Sequence, residues 1–262
     1  MVIKLKNMKP NAKWPTNLAK LKKFPGIDNI GNTCYANCIL QVFNHTPAFI
    51  NYFTNTKNSC KCESKKSCDH CRTEKYVKDW MNNIEKEPVI DPRYLLKTML
   101  TEKLGVKGDA ADFLNKISTQ LKASGMKSNI IDVIYDSSIE VHHTCTVCGS
   151  LCGDTATDTR FRLDNGNLLK NLAEITKPKD SPRSCEKCTG ESKVSEKTVI
   201  VSPPHIFTIR INTGKTEFHE KINIKPFLKL ATRGAVMFEL FAVVVYIENP
   251  NPDVIPHYIA YC

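Results

Sequence analysis

Apolar positions along the first half of the chain recur at helical spacing. From Cys34, the residues Tyr35, Ile39, Leu40 and Phe43 fall on one face, which predicts a helix starting at or just before Cys34. Thr46-Pro47 ends it, because proline forces the residue before it out of the helical region. A cysteine-rich stretch, Cys60 to Cys71, follows. Helical spacing then resumes in "YVKDWMNNIEKE", "PRYLLKTMLTEKL" and "DAADFLNKISTQLKAS", so the chain reads as largely helical up to about residue 130.

Beyond that point the pattern changes. "NIIDVIYDSSIEVHHTC" carries β-branched residues in short alternating runs. "KTVIVSPPHIFTIRIN", "MFELFAVVVYI" and "PHYIAYC" also read as strands, separated by proline pairs and Asn/Gly turns. The second half is therefore predicted to be sheet. There is no internal repeat and no low-complexity tract.

Bulk properties narrow the class. The 262 residues, 41% of them hydrophobic, are enough for one large domain or two small ones. The longest apolar run, Val236 to Ile247, contains Glu239 and is too short for a membrane helix. The first 24 residues are lysine-rich, carry Pro10 and Pro15, and read as a basic arm without a signal-peptide core. The expectation is an intracellular protein, in cytoplasm or nucleus, with no membrane partner. The net charge of +10 fits nucleic acid, an acidic surface or an acidic partner, but the lysines are spread along the chain as solvated faces would be.

The twelve cysteines say more. Without a secretion signal, paired Cys-x-x-Cys units read as zinc or redox sites rather than disulfides. Cys145-x-x-Cys148 and Cys185-x-x-Cys188 flank a strand-like segment and supply four thiolates for a closed, structural zinc site. Cys60, Cys62, Cys68 and Cys71 form a second group with a tighter half, for which a second zinc is weighed against free thiols. His70 is a substitute ligand there. Neither half of this second group looks like a redox Cys-x-x-C at a helix start.

Cys34 sits where a nucleophile belongs. Asn32 and Thr33 are cap-forming residues, Gly31 permits a tight turn, and the positive end of a helix favours a thiolate. Cys38, one turn on, reads as a small core residue. A cysteine nucleophile needs a histidine, often distant in sequence. Of His45, His70, His142, His143, His205, His219 and His257, the last lies at the mouth of an apolar strand, where a satisfied core histidine is the competing reading.

"GIDNIGNTCYANCILQ" closely resembles the cysteine box of the ubiquitin-specific proteases, papain-like deubiquitinating enzymes. "HYIAY" resembles the segment holding their catalytic histidine, and "GDAADFL" their Gln-Asp-x-x-Glu-Phe-Leu element. "HTCTVCG" with "SCEKC" resembles the halves of their zinc fingers. "HIFTIRI" and "KINIKPFLKL" resemble the segments that follow. The matches keep family order from about residue 24 to the last residue.

The resemblance implies an α+β fold of the papain-like type, with a helical thumb (25–135, including the cysteine-rich insert 58–72), zinc-bearing β fingers (136–200) and an antiparallel β palm (201–262). Together these would form one catalytic domain, 25–262. It implies Cys34 as nucleophile, His257 as general base and Asn29 as oxyanion donor. Asp109 and Asp112, one helical turn apart, would hold the basic tail of ubiquitin. The bland readings are a turn-capping role for Asn29 and helix capping by Asp109. Ubiquitin and ubiquitinated proteins would be the partners and structural zinc the cofactor.

There are departures. Pro256 replaces the family's glycine before the histidine, Gly108 its Gln and Asp112 its Glu. The family's third catalytic residue follows the histidine on the next strand, beyond Cys262; Asn251 and Asp253 are weak stand-ins. Three readings therefore compete: an active cysteine isopeptidase, a ubiquitin-binding pseudo-deubiquitinase, and a basic zinc protein binding nucleic acid, ranked last because the cysteine clusters do not set basic residues beside aromatic stacking ones.

Overall fold

The structure is a computed structural model. It describes residues 13, 24–55, 60, 62–86, 88–100, 105–123, 130–135, 138–151, 157–158, 161–163, 166–188, 193–211, 216–217, 219–229, 235–248, 251 and 256–262. The arm 1–24 lies almost wholly outside these residues. The chain divides into two compact units, one of residues 1–134 with 241–262, the other of residues 135–240.

The first unit is built on helices. A short strand β1 (Gly26–Ile27) precedes α1 (Cys34–Asn44), α2 (Pro47–Thr54) and α3 (Asp69–Asn83). Strand β2 (Val89–Ile90) pairs in parallel with β1 and leads to α4 (Arg93–Met99), α5 (Ala110–Ala123) and α6 (Ile130–Tyr135). Pro47 does end α1, but it also starts α2, since its fixed φ suits the first turn of a helix. The apolar face of α1 is buried as predicted, with Phe43 fully covered and stacked on Phe49 at 4.5 Å. Trp80 of α3 is fully buried and lies parallel to Phe24, 5.8 Å away. Among the described residues no helix is long and apolar enough to cross a membrane.

The second unit carries the sheet. Strands β3 (Ser138–Cys145), β4 (Thr157–Asp158), β5 (Phe161–Leu163) and β6 (Gly166–Asn167) are followed by α7 (Leu168–Thr176), β7 (Lys179–Ser181) and β8 (Val194–Ser202). The order β4-β3-β8-β7 forms a four-stranded antiparallel sheet. Leu172 of α7 packs on Ile139 and Ile200 of that sheet, with Phe207 and Phe227 around them. β9 (Ile209–Ile211) pairs with β5 and β10 (Thr216–Glu217) with β6, both in parallel. β11 (Lys221–Asn223) and β12 (Met237–Glu239) form an antiparallel pair.

Residues 241–262 return to the helical unit as the antiparallel pair β13 (Val243–Ile247) and β14 (His257–Tyr261), and β14 packs on α1.

The pattern reading errs in places. "IIDVIY" folds as α6, not strand: its three isoleucines are buried, and burial overrides β-branching. The segment between the second pair of Cys-x-x-Cys units holds α7, whose N-terminus is capped by Asn167 Oδ1 accepting from Lys170 N–H at 3.1 Å.

Inside the helical unit, Asn44 Nδ2 donates to the Tyr76 hydroxyl at 3.0 Å, both side chains buried. Tyr76→Phe should cost about 1–3 kcal/mol, because it leaves the amide without its acceptor. Urea unfolding of the two proteins checks it.

Candidate active site and cysteine clusters

The turn before α1 fixes where Cys34 sits. Gly31 has φ +108° and Asn32 φ +51°, two successive residues in the left-handed region. Asn32 Nδ2 donates to the Gly105 carbonyl at 2.6 Å, tethering the turn. Thr33 is the N-cap residue but its side chain caps nothing. Its hydroxyl instead donates to Asn29 Oδ1 at 3.1 Å and accepts from Ile30 N–H at 3.2 Å. The expectation that Asn32 and Thr33 cap the helix is therefore corrected: both side chains bind the turn. Cys34 is the first residue of α1 and is half-buried. With no side-chain cap and no acidic residue in the first turn, the positive end of α1 is left to the group at that position.

Asn29 is exposed, and its Oδ1 also accepts from Thr33 N–H at 3.0 Å. The capping reading of this residue is thus present in the structure. Its Nδ2 has no acceptor among the described residues, so it remains a donor beside the helix start.

Tyr35, next to Cys34, turns its ring edge-on to Phe113 at 6.0 Å. The same ring covers Gly108, where an added Cβ would lie 2.4 Å from ring carbon. Any side chain at 108 would displace Tyr35, which accounts for the glycine.

Asp109 uses both oxygens. Oδ1 accepts from Ala111 N–H at 2.8 Å and Asp112 N–H at 3.1 Å, capping α5. Oδ2 accepts from the Tyr258 hydroxyl at 3.2 Å. Asp112 sits exposed in the first turn of α5.

His257 opens β14 opposite Ile247 and is exposed. Its ring has no hydrogen-bond partner among the described residues. Asn251 is exposed in a bend, and Asp253 lies outside the described residues. Tyr258 packs against Tyr246 with centroids 5.0 Å apart. Its hydroxyl is pushed up to about 12, first by burial and then by the Asp109 carboxylate. Cys38 is buried in α1, and its thiol rises to about 12, mainly through burial, with Cys34 and Cys262 adding to it. The structure thus brings together 34–35, 108–109 and 257–258, three segments far apart in sequence. Sequence reasoning missed Tyr35 and Tyr258. The available signal was an aromatic residue immediately after each candidate catalytic side chain.

Each cysteine group is assembled. In one, Cys145, Cys148, Cys185 and Cys188 place their sulfurs within 4.8 Å of one another. Both pairs sit in tight turns, Gly149 N–H bonding the Cys145 carbonyl at 2.9 Å and Cys188 N–H the Cys185 carbonyl at 3.3 Å. Hydrogen bonds from Ser150 draw Cys148 down to about 6. In the other, Cys60, Cys62, Cys68 and Cys71 converge within the same limit. Four thiols so placed fit a tetrahedral metal of zinc type. Cys68 is the N-cap residue of α3 and Cys71 lies in its first turn, so this pair begins a helix, though one that follows α2 rather than a strand of a βαβ unit. His70 is buried against Phe53 at 5.1 Å and Tyr52 at 5.9 Å, outside the four-sulfur group.

The profile of the ubiquitin carboxyl-terminal hydrolase family matches residues 25–262. The chain belongs to that family. As a family member it is 22% identical to ubiquitin carboxyl-terminal hydrolase 16 of Arabidopsis thaliana, over 90% of this chain and 27% of the relative. It is 30% identical to ubiquitin carboxyl-terminal hydrolase 22 of Bos taurus, over 47% of this chain and 27% of the relative. The chain thus spans about a quarter of these relatives. Among solved structures, a SAGA DUB module of Ubp8, Sgf11, Sus1 and Sgf73 bound to monoubiquitin matches with TM-score 0.74 at 21% identity. That match covers 91% of this chain and 61% of the other. The papain-like α+β fold expected from the cysteine box is therefore the fold of this family member.

The raised Tyr258 group links stability to alkaline pH. Its proton is held more tightly folded than unfolded, so its contribution is complete below pH 10 and is lost as pH rises through about 12. Wild type should lose stability across that window more steeply than Tyr258→Phe; urea midpoints against pH measure the difference.

Proposed function

We propose that this chain is the catalytic part of a cysteine deubiquitinase that cleaves isopeptide-linked conjugates after the C-terminal glycine of ubiquitin. One observation carries the reading: Tyr35 on Gly108, and Tyr258 on Asp109, bring the Cys34 end of α1 and the His257 end of β14 onto the same dipeptide. The family membership and the fold support it.

In this reading Cys34 Sγ, as thiolate, attacks the carbonyl carbon of the glycine. Asn29 Nδ2 donates to the oxyanion of the tetrahedral intermediate, a contribution whose loss typically costs about 3 kcal/mol of barrier. The C–N bond breaks, and the amine leaves with the proton that His257 took from the thiol. His257 then takes a proton from water, whose oxygen attacks the thioester. Ubiquitin leaves with a free carboxylate and Cys34 is restored. Asp109 and Asp112, at the start of α5, are the acidic pair for ubiquitin's basic tail.

The domain reading goes with it: thumb 25–135, fingers 136–200 and palm 201–262. Ubiquitin and ubiquitinated proteins are the partners, and the compartment is intracellular. Zinc in each four-cysteine cluster supplies cross-linking rather than chemistry, since four thiolates leave no open coordination position.

A second reading, a ubiquitin-binding pseudo-deubiquitinase, is favoured by the His257 ring having no hydrogen-bond partner among the described residues. Loss of an orienting group commonly costs orders of magnitude in rate. Ubiquitin carrying a C-terminal thiol-reactive electrophile separates the readings. The active enzyme is labelled at Cys34, and His257→Ala slows turnover of a ubiquitin amide by about a thousandfold or more. Labelling without turnover supports the pseudo-enzyme. Neither labelling nor ubiquitin binding removes both.

Metal analysis of the purified chain should find two zinc ions. Cys145→Ser should remove one and Cys68→Ser the other, each lowering the melting temperature.

A further inference from the structure

We propose that the Gly108–Asp109 dipeptide is a clamp that positions the nucleophile against the histidine, with Asp109 acting through Tyr258 as a positioning residue. The inference rests on the deubiquitinase reading and refines the part that Asp109 plays in it.

The two halves of the clamp work differently. Gly108 acts by having no side chain. The Tyr35 ring occupies the place where a Cβ would stand, 2.4 Å from ring carbon, so the helix start is seated on backbone at 108. Tyr35 directly follows Cys34, and this contact sets how close the first turn of α1 comes to the start of α5. Asp109 acts by hydrogen bonding. Its Oδ1 is fixed by the N–H groups of Ala111 and Asp112, which makes the carboxylate part of the α5 N-terminus. Its Oδ2 is aimed at β14 and takes the Tyr258 hydroxyl at 3.2 Å. Tyr258 directly follows His257, and its ring is held on the other side by Tyr246. One dipeptide therefore touches the neighbour of the nucleophile through its backbone at 108 and the neighbour of the base through the Asp109 carboxylate.

This commits Asp109 more to holding β14 than to gripping a ligand cation. Asp112 lies exposed in the same turn.

The test compares kcat and KM on a ubiquitin C-terminal amide, together with the rate of Cys34 labelling by electrophile-tipped ubiquitin. Tyr258→Phe keeps the ring and removes only the hydroxyl. It should lower kcat about tenfold, with KM within about twofold. Asp109→Ala, which loses both the cap and the strand contact, should fall further. Asp109→Asn should lie between wild type and Tyr258→Phe, because asparagine still caps and its amide can donate to the tyrosine oxygen. Gly108→Ala should slow Cys34 labelling without reducing zinc content, which reports folding of both units because each holds one four-cysteine cluster.

A grip on the ubiquitin tail gives the opposite pattern, in which Asp109→Asn raises KM through lost charge and Tyr258→Phe changes nothing. That pattern overturns the clamp. Equal labelling rates in wild type, Tyr258→Phe and Gly108→Ala overturn it as well. A wild-type chain that is not labelled at Cys34 overturns the deubiquitinase reading, and the clamp's catalytic role with it. The two failures are thus told apart.

Discussion

Residues 241–262 come back to the helical unit only after the chain has passed through the whole of the second one. β14 lies on α1, the first long helix, and Tyr258 reaches Asp109 across 149 positions of sequence. Between the two ends the chain builds a separate unit, residues 135–240, with its own sheet and its own apolar cluster on Leu172. Contacts so distant in sequence carry a loop-closure cost that local ones do not. The placement of the His257 end of β14 against the Cys34 helix depends on those long-range contacts. A change that loosens β14 acts on the candidate site without touching either residue.

The cysteine clusters show the contrast. Each Cys-x-x-Cys turn is defined by residues within a few positions, and Gly149, at φ +71°, finishes one of them. Within 138–202 the sulfurs are brought together by one long antiparallel pairing, β3 on β8. Local turns joined by one ladder need little of the rest of the chain.

This difference explains what could be read from the sequence. The start of α1 at Cys34, the strand character of "HYIAY" and both cysteine groups follow from neighbouring residues, and spacing finds them. The capping pattern at the helix start did not transfer, because Thr33 had two possible uses for its hydroxyl and Asn29 took it. The helix α7 was legible in principle: Leu168, Leu172 and Ile175 fall on one face at helical spacing, inside a segment read as strand. α6 was not, since its isoleucines suit a strand and only their burial decides otherwise. Nothing near Asp109 or Tyr258 announces that they meet.

Two uses of one carboxylate also explain why the helical element starting at Gly108 tolerates departures from its family pattern. A larger residue at 108 would need Tyr35 to stand elsewhere, so glycine and this tyrosine placement go together. Asp109 supplies what the cap and the strand both require, an acceptor with two oxygens in fixed directions. Asp112 has a shorter reach than the glutamate of the pattern, and in the first turn of α5 it remains close to the helix dipole, which favours its charge. The carboxylate at 112 is thus held near the helix start rather than extended from it on a longer side chain. The shorter side chain also has fewer rotamers to lose wherever it is held in place.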